Sequence, residues 1–526
     1  MTELDRDTLL AAETHLLPEI PQGRGRAVVV FPNTYGPGMS SLSVQTLYAL
    51  LNQRGVACER AFMPANHPLR EVRSLESQAL LTSFDTLLVS SSFELDWLHI
   101  PAMLNSGGVP PLRQDRDSRH PLVIMGGPAV TANPEPLADF ADALWIGELE
   151  PFADALADIC LSPRGREAKL DRLREEAAHV CGDAGLYLPW LSEHAPVLGA
   201  DRRRVGRLYA PDLSVFSTES AILTPNTTFA DRFLIEISRG CARGCSFCLA
   251  RRIYRPWRTR PAGMLLDRIG QVMDSTPRVG LVSTAVSDYP EGETLWAALS
   301  EMGAEVSVSS VRAETASDAL LALLGQAGQH QLTLAPEAGT EALRRRVGKP
   351  MSDEELFNCV QRAVAAGIRR FKLYFLVGLP GETDADARAI AGLLSRLRDR
   401  AGSAWFSVSV NPFVPKPHTA YEGEAFLTGS AFRRRIGAVL SGLQRAGIHD
   451  VTSGSVRWSE AQTILSRGGR ELCRPILEAS LAGADFGGFK AAVRAAGVDW
   501  KACLGPVEAP LESAPWKVVA DEGCAR

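Results

Sequence analysis

Short apolar runs recur at 27–31, 58–63, 86–90, 122–125 and 143–146, and between them apolar positions return every three or four residues. That alternation predicts βαβ units and a parallel sheet, because parallel neighbours need a crossover that is usually a helix. Gly- and Pro-rich turns follow several runs, among them Asn33–Gly38 (NTYGPG) and Gly126–Pro128 (GGP). A ligand on such a sheet lies beyond the carboxyl ends of its strands.

The pattern then loosens. Residues 161–230 hold a charged helical stretch at 164–178 and a run interrupted by Pro189, Pro196, Pro211 and Pro225, and they read as a connector. A second alternation begins at Phe233–Ile237 and continues through strand candidates at 280–284, 305–309, 331–334, 371–377 and 405–410. Six such units in series predict a partial (β/α) barrel. The remainder shows helical periodicity at 430–446, 459–466, 470–481 and 489–496 and is expected to cap the barrel mouth. The expected organisation is an N-terminal extension (1–25), a Rossmann-like (flavodoxin-like) α/β domain (26–160), the connector (161–230), a partial (β/α)6 barrel (231–424) and a small, mainly helical domain (425–526).

Composition narrows the class. The 526 residues exceed one core and suggest about three domains. With 45% hydrophobic and 22% charged residues, the chain is ordinary globular protein. No apolar run approaches the ~20 residues a bilayer requires, so no membrane partner is expected and the expected location is the cytoplasm. A net charge of -5 opposes nucleic acid as the main partner, although Arg251, Arg252, Arg255, Arg258 and Arg260 cluster locally.

Three of the ten cysteines crowd into Cys241-Ala-Arg-Gly-Cys245-Ser-Phe-Cys248, directly after an apolar strand. Three thiolates on one loop point to a metal centre, either an iron-sulfur cluster with one iron open to a ligand or a zinc site completed by a distant residue. Gly240 and Gly244 let the backbone wrap closely around such a centre. The remaining cysteines, Cys58, Cys160, Cys181, Cys359, Cys473, Cys503 and Cys524, are scattered singly and form no second cluster of that spacing.

The C-x3-C-x2-C spacing, with aromatic Phe247 just before the last cysteine, resembles the signature of the radical S-adenosylmethionine (SAM) superfamily. The resemblance implies a 4Fe-4S cluster on Cys241, Cys245 and Cys248, whose open iron chelates SAM, and an electron donor such as flavodoxin or ferredoxin. It places the methionine amine near Asp288 in Ser287-Asp288-Tyr289, where the family's Gly-rich stretch is missing. The ribose hydroxyls fall to Glu337, a carboxylate that can accept from both. Adenine falls to the backbone of Gly378-Leu-Pro380-Gly-Glu382. Arg312 either pairs with the SAM carboxylate or forms a structural ion pair, and His418 is either a base or substrate contact or a turn residue.

A parallel domain before that barrel resembles the cobalamin-binding arrangement of B12-dependent radical SAM enzymes. Carried over, the resemblance assigns Tyr35, Gly38, Ser90, Ser91, Glu94, Gly126, Gly127 and Glu148 to cobalamin. The Asp-x-His-x-x-Gly motif that ligates cobalt from below is missing and His67 does not replace it by spacing, so the lower face is expected to meet Arg70 or an apolar residue. The implied function is methyl transfer from SAM through cobalamin to a carbon of a small molecule, such as an indole, or of a peptide. The alternative is radical chemistry without methyl transfer: rearrangement, cyclisation, or RNA or protein modification. Tyr254, Trp257, Tyr289, Tyr374, Trp405 and Tyr421 are candidate pocket residues near predicted strand ends.

Overall fold

A computed structural model describes residues 5–17, 25–64, 70–162, 165–181, 184–191, 204–328 and 331–525. His67 and Pro196 lie outside them. The first sheet contains β1 (Arg26–Phe31), β2 (Ala57–Phe62), β3 (Thr86–Ser90), β4 (Leu122–Gly126), β5 (Ala143–Trp145) and β6 (Leu186–Tyr187), ordered β2-β1-β3-β4-β5-β6. Every pair is parallel except β5 with β6. Chain order reverses between β1 and β3, the point at which open α/β sheets bind ligands.

Side chains leave a strand on alternate faces. On β1, Ala27, Val29 and Phe31 enter one core with α1 (Leu42–Asn52), while Val28 and Val30 enter another with α2 (Ile100–Ser106). The first core also receives α3 (Ala153–Leu161) and α4 (Arg166–Cys181). The connector adds β7 (Val205–Tyr209), whose Leu208 carbonyl accepts from the Glu148 N–H at 2.9 Å.

The second unit begins with the parallel strands β8 (Phe233–Glu236), β9 (Arg278–Val282) and β10 (Glu305–Val308). It continues with β11 (Gln331–Glu337), β12 (Arg370–Val377), β13 (Trp405–Pro412) and β14 (Asp450–Ser453), also parallel. The Val311 N–H donates to the Thr333 carbonyl at 3.0 Å and links the two groups. Helices α5 (Ala262–Val272), α6 (Gly292–Glu301), α7 (Asp318–Gln326), α8 (Asp353–Ala365), α9 (Asp384–Ala401) and α10 (Gly429–Arg445) run between the strands. Capping boxes at Ser352/Glu355 and Thr383/Asp386 start α8 and α9 by satisfying N–H groups that a helix leaves without partners. On β12, Phe371, Leu373, Phe375 and Val377 pack on the helix layer. Lys372 and Tyr374 face the other way, with the ammonium 5.3 Å from the ring centre.

The sequence pattern gave six barrel strands ending before 425, and the structure adds β14 at the open edge. Its Asp450 and Ser453 are exposed, so the strand carries no apolar alternation to read.

The C-terminal helices depart from their expected place. Residues of α11 (Val456–Arg467), α12 (Cys473–Leu481) and α13 (Phe486–Ala495) share a core with Val28, Val30, Val89 and Val123 of the first sheet. A parallel sheet must be covered on both faces. On this face the N-terminal domain supplies α2 and short segments carrying Phe84, Trp97, Val130 and Phe140, and the later helices complete the layer. The chain then returns as β15 (Val519–Ala525), parallel to β7.

Candidate functional site between the sheet and the barrel

The cysteine loop leaves the carboxyl end of β8, where Ser238–Arg239 pair antiparallel with Arg258–Thr259. Gly240 has φ +84°, and a Cβ there would sit 2.4 Å from the Tyr254 carbonyl oxygen. Glycine is therefore required at the turn into Cys241. The Ser246 N–H donates to the Val347 carbonyl at 2.9 Å, and the Ala420 N–H to the Ser246 carbonyl at 3.1 Å. Gly348, with φ +75°, packs backbone to backbone on Gly244.

Cys241, Cys245 and Cys248 are free and half-buried. Burial pushes the Cys248 thiol up and the charges of Cys245 and Cys241 push it further, while the N–H groups of Arg251 and Ala250 oppose them. The Arg243 N–H points at Cys241 Sγ, 3.4 Å away. Among the described residues no three His, Cys, Asp or Glu side chains form a closed metal-holding set. The residue types, the free thiols and the N–H groups directed at sulfur nonetheless suit a thiolate-held cluster. Phe247 packs below the loop with Leu343, Val347, Leu379 and Phe413.

The neighbouring strand ends form a polar ring. Arg243 pairs with Asp288 through two contacts of 2.7 and 2.6 Å, and the Thr315 hydroxyl donates to Asp288 at 2.7 Å. Both oxygens of Asp288 are thus taken. Arg312 pairs with Glu314, but the pair is incomplete: Arg312 Nε and Glu314 Oε2 are buried without partners among the described residues. Such orphaned groups are costly unless a ligand meets them. Glu314 was not singled out from the sequence; its place two residues after Arg312 was the only signal.

Glu337 ends β11 in the left-handed region, φ +67°, with Lys349 Nζ 3.0 Å from its carboxylate. A non-glycine residue there is uncommon and marks a constrained position. Gly378, φ +98°, donates its N–H to Glu382 at 2.6 Å, and the half-buried Pro380 follows buried Leu379. Burial raises the Glu382 carboxyl to about 7, against the Gly378 N–H and Arg435.

A cavity of about 430 Å³ opens between the carboxyl ends of the first sheet and those of β8 and β9. Ser90, Gly126, Gly127 and Glu148 line it, opposite Arg239, Gly240 and Tyr254. Its floor is apolar, with Leu88, Ile124, Trp145 and Phe152, and the buried hydroxyl of Thr46 in its wall lacks a partner among the described residues. Gly127, φ +114°, has no room for a Cβ, which would meet the Ser91 carbonyl at 2.4 Å. Burial pushes the Tyr254 phenol up to about 12.

Other expected contacts fall elsewhere. Ser91 is buried behind the wall and accepts from Trp97 Nε1 at 2.9 Å. Tyr35 donates to Glu13 at 2.6 Å, and Gly38 packs on the Phe62 ring. Glu94 ties Lys416 and Gln462 to the sheet, and Arg70 is exposed away from the cavity. Tyr289 bonds the Arg260 carbonyl at 2.6 Å, and Trp405 lies at the far end of β13, 3.3 Å from Asp450.

The domain junction is built from buried ion pairs. Arg239 meets Glu148, Glu150 and Glu236 at 3.0, 2.6 and 2.8 Å, Arg258 meets Glu148 at 2.7 Å, and Arg260 meets Glu236 at 3.1 Å. Arg258 and Arg260 are thereby removed from the basic cluster read in the sequence. His418 is buried, not a surface turn. Its ring nitrogens lie 3.0 Å from the Ala132 carbonyl and 3.1 Å from Asp521.

No helix among the described residues is long and apolar enough to cross a membrane. The family model for the N-terminal part of radical SAM proteins matches residues 43–189, and the radical SAM superfamily model matches 235–394. The uncharacterized protein MJ0966 of Methanocaldococcus jannaschii is 30% identical over 458 residues, 85% of this chain and 89% of that protein. The ribosomal protein uS12 methylthiotransferase RimO of Xanthobacter autotrophicus is 26% identical over 233 residues, 40% of this chain and 51% of its own. The fold is shared with the radical SAM methyltransferase TsrM of Kitasatospora setae, solved with cobalamin and a [4Fe-4S] cluster: TM-score 0.55, 12% identity, 90% of this chain and 99% of that one. With the cysteine loop at the mouth of its barrel, the chain belongs to the radical SAM superfamily.

Proposed function

We propose that the chain is a cobalamin-dependent radical SAM methyltransferase acting on a carbon of a small molecule or peptide. The observation that carries this reading is the cavity joining the Gly126–Gly127 end of the sheet to Gly240, the residue before Cys241. A cofactor seated on the sheet there would face a cluster held by Cys241, Cys245 and Cys248. The TsrM fold, solved with both groups, supports it.

The residues have separable roles. Gly126 and Gly127 admit a large ring to the backbone, and Ser90 and Thr46 offer hydroxyls to its amides. Arg312 Nε and Glu314 Oε2 can receive the carboxylate and amine of SAM, a task the fully engaged Asp288 leaves to them. Glu337 would accept from the ribose hydroxyls, and the backbone at Gly378–Pro380 would meet the adenine. Bound cobalamin supplies a methyl carrier, and the cluster supplies the electron that activates SAM.

The test is anaerobic reconstitution with iron, sulfide and hydroxocobalamin. The expected protein retains a corrinoid spectrum through gel filtration, loses its iron-sulfur absorption in each of C241A, C245A and C248A, and turns SAM into S-adenosylhomocysteine with acceptor present. Protein that retains no corrinoid, or that forms only 5'-deoxyadenosine, overturns the methyl-transfer reading in favour of radical chemistry without it.

A further inference from the structure

Beside the large cavity lies a second crevice, lined by Arg207, Arg252, Arg255, His418 and Asp521 and sharing Thr131 and Ile253 with its neighbour. Its volume is about 10 Å³. That suits one water-sized group, so the crevice admits the tip of a ligand and not its body.

Its charge is unbalanced. Arg207 is 3% exposed, and its Nη1 is buried without a partner among the described residues. Among the described residues its Nη2 donates only to the Arg255 carbonyl. The nearby carboxylate of Glu148 is held by Arg239 and Arg258. Burial lowers the Arg207 guanidinium to about 10, Glu148 opposes this, and Arg255 and Arg258 add to it. Asp521, the one acid in the lining, is engaged by His418 and Lys517. Thr131 accepts the Gly147 N–H at 3.0 Å, which leaves its own proton to donate. Leaving a buried guanidinium nitrogen unmet costs more than a neutral donor would.

We infer that this crevice takes one anionic oxygen atom, from a carboxylate or a phosphate ester, on a ligand whose remainder lies in the larger cavity. Two sources carry that chemistry: the phosphodiester of a cobalamin nucleotide tail and an acid group on the methyl acceptor. The first rests on the corrinoid reading above.

The experiment is a spectroscopic titration of the full-length, cofactor-free protein with hydroxocobalamin and with cobinamide, which lacks the nucleotide and its phosphate. Wild type is compared with Arg207→Gln and with the half-buried Arg252→Gln, each checked for folding by circular dichroism. If the tail phosphate is the group, the variants lower the cobalamin-to-cobinamide affinity ratio about ten-fold, the scale of one charge-assisted hydrogen bond. If the acceptor's acid is the group, that ratio holds, and inorganic phosphate raises the melting temperature of wild type but not of Arg252→Gln. An unchanged ratio together with no phosphate effect overturns the inference. Wild type that binds neither corrinoid defeats the cobalamin reading alone, because the phosphate comparison still decides the crevice.

Discussion

Arg243, set between the first two cysteines, grips Asp288 at the end of the neighbouring barrel strand with two nitrogens, 2.7 and 2.6 Å from its two oxygens. The contact fixes the cysteine loop to the short helical turn Val286–Asp288 that follows β9, rather than leaving it to its own turns. A planar guanidinium meeting both oxygens of a carboxylate is the strong form of this interaction.

Asp288→Asn keeps the shape and removes the charge. The expected loss is about 1–2 kcal/mol of stability, moderated because Arg243 is partly exposed, with less iron retained per chain after reconstitution. Denaturant unfolding and iron analysis measure the two effects separately.

Gly348→Ala places a Cβ 2.4 Å from the Gly244 carbonyl at a positive φ, and neither backbone can yield cheaply. The variant should lose about 2 kcal/mol or more and shift the cysteine loop. Melting temperature and iron-sulfur absorption should fall together, whereas Gly497→Ala, where no atom lies within 4 Å of the added carbon, should leave the absorption intact.

Glu148→Gln strips one partner from Arg239 and Arg258 at the junction of sheet and barrel. Arg239 keeps Glu150 and Glu236, but Arg258 is left without a carboxylate partner among the described residues, so the loss is expected to be about 2–3 kcal/mol, below the cost of breaking an isolated buried pair. Limited proteolysis should cut the variant faster between the two units than wild type.

Glu382 gives a pH signature. Its carboxyl stands at about 7 in the folded chain, above the ordinary 4.5, so folding favours the protonated form. The stability it contributes is fully present below 4.5 and is lost as pH rises through 7. Glu382→Gln should flatten the dependence of stability on pH across that window, measured by denaturant unfolding at stepped pH.

The first sheet and most of the barrel were legible because their strands are short, largely apolar runs at predictable spacing, as in Val28–Val30 or Leu373–Val377. The cysteine loop stood out because three cysteines in eight positions are rare, and the structure places them at the barrel mouth. Asp450–Ser453 and Val519–Ala525 were not, since both are polar and largely exposed. The partners of Glu148 and Arg207 were hidden for another reason. Which charges meet across a domain junction depends on tertiary packing, as do the partners that Glu94, Tyr35 and Gly38 meet outside the cavity.

His418 reaches back 286 residues to Ala132 and forward 103 residues to Asp521. Such a contact cannot form until residue 521 has been made. The first sheet waits as well, because its second face is completed by α11–α13, so the two units share one late folding step rather than folding one after the other.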